Sequence, residues 1–94
     1  MLSKLPINLE KSSQEDIDRE ILRAGIIAEL DAISLYEQLA AMTKDEDLKK
    51  ILFDIAKEEK THVGEFQTLL LRKDAQQVEE LEEGRKEVEE ELAE

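Results

Sequence analysis

The sequence predicts an all-α protein: an antiparallel hairpin of two long helices, followed by a shorter C-terminal helix. Three observations carry that expectation. Glu, Lys, Leu and Ala dominate, and proline occurs only at Pro6, a composition that favours helix. Apolar residues recur at helical spacing through two long stretches. Each stretch opens on a cap signal, which leaves little room for loops.

Residues 1–11 read as an irregular lead-in, with Pro6 disfavouring helix. Ser12 and Glu15 have capping-box spacing, and the helical period begins soon after, predicting the first helix over 13–42. Thr43 with Glu46 repeats the signal and predicts the second helix over 44–72, after a connection of about two to four residues. So short a connection makes the two helices antiparallel neighbours, each roughly 40–45 Å long at about 1.5 Å per residue. Asp74 with Gln77 marks a third start, giving a helix over 75–92. Its apolar positions are few (Val78, Leu81, Val88, Leu92) and Gly84 interrupts it, so it either packs on a neighbouring subunit or frays. The whole is one small domain, residues 1–94.

The net charge is −12. An acidic surface argues against nucleic acid and anionic membranes, and attracts cations. Much of this charge is local: residues 79–94 hold nine Glu against Arg85 and Lys86, a net −7, which reads as a solvated helix face or tail. Without cysteine there are no disulfides, thiolate metal sites or Cys nucleophiles. No apolar stretch approaches the roughly 20 residues of a membrane span, and the N-terminus lacks a signal-peptide core. The expected location is the cytoplasm.

The informative residues are carboxylates on apolar faces. On a helical wheel, Leu22, Gly25, Ile33, Tyr36 and Ala40 fall within about 40° of Glu29. In the second long helix, Leu48, Leu52, Ile55, Val63, Phe66 and Leu70 lie within about 40° of Glu59, with His62 on the same face. An ionised carboxylate there costs several kcal/mol unless paired or metal-bound, and no Lys or Arg shares either stripe near the middle. Facing residues in an antiparallel hairpin have numbers with a constant sum, about 88 for a turn near residue 44, and Glu29 and Glu59 satisfy it. Two facing carboxylates repel unless a proton or cation sits between them. A histidine one turn away makes a divalent cation the economical answer; oxygen and imidazole donors without sulfur suit iron, manganese or zinc. Gly25 lies level with His62, where its missing side chain either makes room for the imidazole or serves close helix packing.

Glu59-Lys60-Thr61-His62 is a Glu-x-x-His motif. Ferritin-like di-iron proteins take two lone Glu and two such pairs from four helices. This chain supplies one of each from two helices, half a four-helix bundle with half a dinuclear site, which a twofold-related copy would complete. The first helix's apolar face, about 200° wide, is also too broad for one partner helix.

Residues 17–72 resemble the encapsulated ferritins, two-helix ferritin-like proteins associated with encapsulin nanocompartments. The likeness rests on IIAELDAISLYEQLA, containing Glu29 and Tyr36, and on LKKILFDIAKEEKTHVGEFQTLLLRKD, containing Glu59 and His62. It implies a ferroxidase that oxidises Fe(II) with O2 at a di-iron centre shared by two chains, each giving Glu29, Glu59 and His62; on donor chemistry, manganese, zinc or calcium are possible substitutes. It implies a dimer, a ring commonly of five dimers, and iron storage inside an encapsulin shell. The family's acidic residue beside the first Glu is Ala28 here, leaving Asp31 as the nearer candidate to receive incoming metal, and its tryptophan position is Leu35. No shell-docking peptide is recognisable after the third helix, so the expectation is either a shorter form of the cargo or a domain fused to the shell protein.

The alternatives belong to other classes. Glu29, Glu59 and His62 could form a polar layer fixing the register of a metal-free helical dimer, although such layers favour Asn or Glu–Lys pairs. They could also hold a structural zinc or calcium in a cargo or assembly module. Tyr36, two turns after Glu29 on the same face, reads either as a hydrogen-bonding or electron-transfer neighbour of the site or as a core tyrosine. Glu58 and Glu65, nearer the rim, read as cation guides or solvated surface.

Overall fold

The computed structural model describes residues 13–93. Helix α1 spans Gln14–Met42, α2 spans Glu46–Leu71 and α3 spans Ala75–Leu92, with no strand among the described residues. This is the predicted hairpin with its shorter third helix. The lead-in expected over 1–11 and the cap expected at Ser12 lie outside the described residues.

The caps show why the helices start where they do. Ser13 closes the start of α1, its hydroxyl accepting from the Asp16 amide at 3.2 Å and donating to the Asp16 carboxylate at 2.8 Å. Glu15 and Asp16 occupy the first turn, where the helix dipole favours negative charge. At the other end, Thr43 takes an extended conformation and its amide bonds back to the Leu39 carbonyl.

The expected capping box of Thr43 and Glu46 does not form. Asp45 caps α2 instead, its Oδ1 accepting from the amides of Asp47 at 3.0 Å and Leu48 at 3.1 Å. Thr43 spends its hydroxyl on the Asp45 amide at 3.1 Å. A carboxylate beside the free amides is the stronger acceptor, so α2 begins at Glu46 and the connection is residues 43–45.

Asp74 caps α3 as its spacing with Gln77 predicts, accepting from the Gln77 amide at 3.0 Å. Its other oxygen receives Arg23 Nη2 at 2.9 Å, and Arg19 donates to the Lys73 carbonyl at 3.2 Å. Two arginines of α1 thus tie down the start of α3. Arg23 is held above its ordinary pKa mainly by its hydrogen bond to Glu20, with Asp74 adding to it.

Little is buried. Among the described residues the core consists of Leu22 and Ala40 on α1, and Ala56 and Leu70 on α2. The radius of gyration is 16.9 Å, against about 12 Å for a compact chain of this length. The dimensions, 48 × 47 × 18 Å, are those of a plate less than two helix diameters thick. No helix among the described residues is long and apolar enough to cross a membrane.

Candidate metal centre

Glu29 lies midway along α1 and Glu59 midway along α2, in uninterrupted helix. Antiparallel packing brings them to one level, and the i, i+3 spacing carries His62 to the same place. His62 Nδ1 stands 3.5 Å from Glu29 Oε1 and 3.5 Å from Glu59 Oε2. One donor atom from each residue lies within 4.8 Å of the other two.

These separations are long for hydrogen bonds. They suit a different bond. Two adjacent ligands, each about 2.1 Å from a metal, lie roughly 3.0–3.4 Å apart at tetrahedral or octahedral angles. Glu29 Oε2 adds a second observation: it is buried and accepts no hydrogen bond, a costly state for a carboxylate oxygen. Among the described residues, the ion-pair contacts of both carboxylates are with His62 alone. Lys60, the nearest lysine to Glu59 in sequence, reaches across to Glu37 at 3.2 Å instead. The donor set therefore fits a divalent cation and lacks a fixed positive charge in its place.

The cluster opens to one side. The side chains of Glu29 and Glu59 are 17% and 19% exposed, whereas that of His62 is 43% exposed. His62 shares its side of α2 with Ile51 and Leu69, eleven residues before and seven after, and Ile21, Ala32 and Leu39 repeat those spacings on α1. Ile21, Leu39, Ile51 and Leu69 are exposed. The side of the hairpin onto which the cluster opens is thus an uncovered apolar surface.

The remaining sequence candidates stand differently. Asp31 lies outside the donor cluster, and its Oδ2 is buried without a hydrogen-bond partner. Tyr36 is half-buried on α1, while Glu58 and Glu65 are exposed. At Gly25 the imidazole does not take the space a side chain would fill. Phe66 does: a Cβ on Gly25 would meet three atoms of its ring at 3.1–3.2 Å. Sequence reasoning placed Phe66 in the core without that contact. The available signal was position, since Gly25 lies one turn before Glu29 and Phe66 one turn after His62.

Comparison with known proteins adds independent findings. The model of the EncFtn-like family matches residues 5–91. The chain is 55% identical over 92 residues to a ferritin-like-encapsulin shell fusion protein of Pyrococcus furiosus, covering 96% of this chain and 27% of that protein. It is 40% identical over 67 residues to the encapsulin nanocompartment cargo protein EncC of Myxococcus xanthus, covering 71% of this chain and 51% of that protein. The chain thus matches about a quarter of the first relative's length and half of the second's. The crystal structure of the encapsulated ferritin domain from Pyrococcus furiosus superposes with a TM-score of 0.84 at 54% identity, over 99% of this chain and 96% of that one.

Proposed function

Because this chain belongs to the EncFtn-like family, we propose that it is a ferroxidase, oxidising Fe(II) to Fe(III) at a dinuclear centre formed between two copies. The observation that carries the reading is the convergence of Glu29, Glu59 and His62, with the second Glu29 oxygen buried and satisfied by no protein group.

Fe(II) is the substrate and O2 the electron acceptor. Anionic oxygen donors favour Fe(III) over Fe(II), which supplies driving force for the oxidation. Within one chain, Glu59 is the bridging candidate, because it stands at the centre of the apolar stripe of α2. Glu29 and His62 hold from either side. The exposed flank of His62 is where a twofold-related chain adds its own set, giving four carboxylates and two imidazoles. That chain also covers the apolar side of both helices. Asp31 is the candidate first contact for incoming cations, which the net charge of −12 attracts. Tyr36, two turns after Glu29 on the same face, is the candidate to hydrogen-bond a ligand or pass an electron.

The assembly belongs to the same proposal: a dimer, then a ring of dimers such as a decamer, within an encapsulin nanocompartment where oxidised iron is stored. Its support is the naming of one relative as a shell fusion and of the other as nanocompartment cargo. The plate-like shape of the single chain, with few buried side chains, also favours association.

The test is an anaerobic Fe(II) titration followed by O2 consumption, on the native chain, Glu59→Ala and His62→Ala, with each sample sized. The expected result is about one iron per chain, as the shared-site geometry requires, with oxidation lost in both variants. Unchanged oxidation in both would refute the assignment. Tight binding without oxidation would leave a structural metal in an assembly module.

A further inference from the structure

We infer that Gly25 and Phe66 are positioning residues that set the separation of the two helices at the metal centre, and with it the size of ion the donors accept. The inference rests on the reading of Glu29, Glu59 and His62 as metal ligands, and adds two residues that touch no metal.

The contact lies directly beside the three donors. Gly25 is one turn before Glu29 on α1, and Phe66 one turn after His62 on α2. A Cβ built on Gly25 would stand 3.1 Å from Phe66 Cε2, 3.2 Å from Cδ2 and 3.2 Å from Cζ. Ordinary carbon contacts lie at about 3.5–4.0 Å. Three consecutive ring atoms at nearly equal distance mean that the aromatic ring lies against bare backbone.

Backbone conformation does not explain the glycine, because no glycine among the described residues has positive φ. Helix propensity argues against it, since glycine is disfavoured in a helix interior. Nor is this how glycines behave generally in the chain: Gly64 and Gly84 have open space where a Cβ would be. Gly25 is the one that faces a packed side chain.

Any atom added in that space must move the ring. A methyl group at position 25 displaces the ring, or the helix carrying it, by roughly 0.3–0.9 Å to restore ordinary contact. The donor separations of 3.5 Å already stand just above what an ion with ligand bonds of about 2.1 Å spans. Ligand bonds tolerate about 0.2 Å. Passed on to the donors, a displacement of that size exceeds the tolerance for a first-row transition ion and favours a larger ion such as Ca2+, with bonds of about 2.3–2.6 Å. The glycine–ring contact therefore keeps the helices at the spacing a small divalent ion needs.

The probe is Co(II), whose visible spectrum reports coordination without turnover. The full chain is titrated with Co(II), alone and against Ca2+, alongside Gly25→Ala, Phe66→Leu, the double variant and Glu59→Ala; far-ultraviolet circular dichroism checks the fold. Gly25→Ala should keep its helicity, bind Co(II) at least tenfold more weakly, shift the visible bands and lose preference over Ca2+. Phe66→Leu should weaken Co(II) binding by removing the spacer. The double variant should recover part of the loss in Gly25→Ala, because the smaller side chain gives the methyl room. Single variants within twofold of native, with unchanged spectra, would overturn the inference, as would failure of the double variant to recover. If Gly25→Ala does not fold, native-like binding and spectrum in Phe66→Leu alone would overturn it. Absence of Co(II) binding by the native chain, or full binding by Glu59→Ala, would instead sink the ligand assignment beneath it.

Discussion

Glu29 has two oxygens in different circumstances. One faces His62 at 3.5 Å; the other is buried and accepts no hydrogen bond. A carboxylate held this way destabilises the metal-free protein, and its removal in favour of a packed apolar side chain should be favourable. Glu29→Leu is therefore expected to raise the stability of the chelated protein by about 1–2 kcal/mol, or several degrees in Tm at roughly 4–8 °C per kcal/mol. It should also abolish the further rise that added metal gives the native chain. Thermal unfolding with and without metal, at one fixed protein concentration, checks both halves. A metal-free variant less stable than native would show that Glu29 serves the fold. At this scale the sequence was informative where chemistry and helical period coincide: a carboxylate in an apolar stripe is conspicuous, so Glu29, Glu59 and His62 could be named together. Phe66 could not, because an aromatic among leucines looks like any core residue. Only the position of Gly25 opposite it gives the ring a particular task.

The helices are held at their ends by different means, and α3 depends most on charge. Its described residues are almost all exposed, and Arg85 bridges back to Glu82 and forward to Glu89. The hydrogen bonds from Arg85 hold the Glu82 carboxyl below its usual 4.5, with the guanidinium's charge contributing, and the two glutamates push Arg85 above its ordinary range. A carboxyl whose folded value is lowered adds stability that is complete above its unfolded value and disappears as pH falls through the folded one. The Glu82–Arg85 contribution should thus be present at neutral pH and lost from about pH 4.5 downward. Arg85→Gln is expected to be less helical than native at pH 7, with the difference closing on acidification. Circular dichroism across the acid range measures it, and a difference that persists at pH 2 would assign the effect to something other than this pair. Cap positions were legible only approximately. Asp74 with Gln77 behaves as its spacing predicts, but at the hairpin turn Thr43 accepts from the Asp45 amide and leaves the free amides of Asp47 and Leu48 to the Asp45 carboxylate. Spacing alone does not rank a hydroxyl below a carboxylate.

A plate 18 Å thick has little interior. Ile51 is 56% exposed and Ile21 50% exposed, both on the side where His62 opens. If that side is the contact between two copies, a charge placed in it must be desolvated without a partner. Ile51→Glu should therefore weaken self-association by at least tenfold while leaving the helices intact. Light scattering coupled to size exclusion would show a shift toward single-chain mass, and an unchanged mass would move the contact to another face. The breadth of the apolar face of α1 announced in advance that one partner helix would leave apolar residues uncovered. The direction of α3 was not announced, because it depends on Arg19 and Arg23 reaching Lys73 and Asp74 across the open end of the hairpin, contacts between residues more than fifty positions apart. If a second chain completes the cluster, a genetic consequence follows. When centres are shared, one inactive allele harms more than its own product: with defective and normal chains in equal supply and random pairing, roughly one quarter of pairs are wholly normal. Loss of His62 in one copy of the gene would then act dominantly, whereas a defect that prevented pairing would remain recessive.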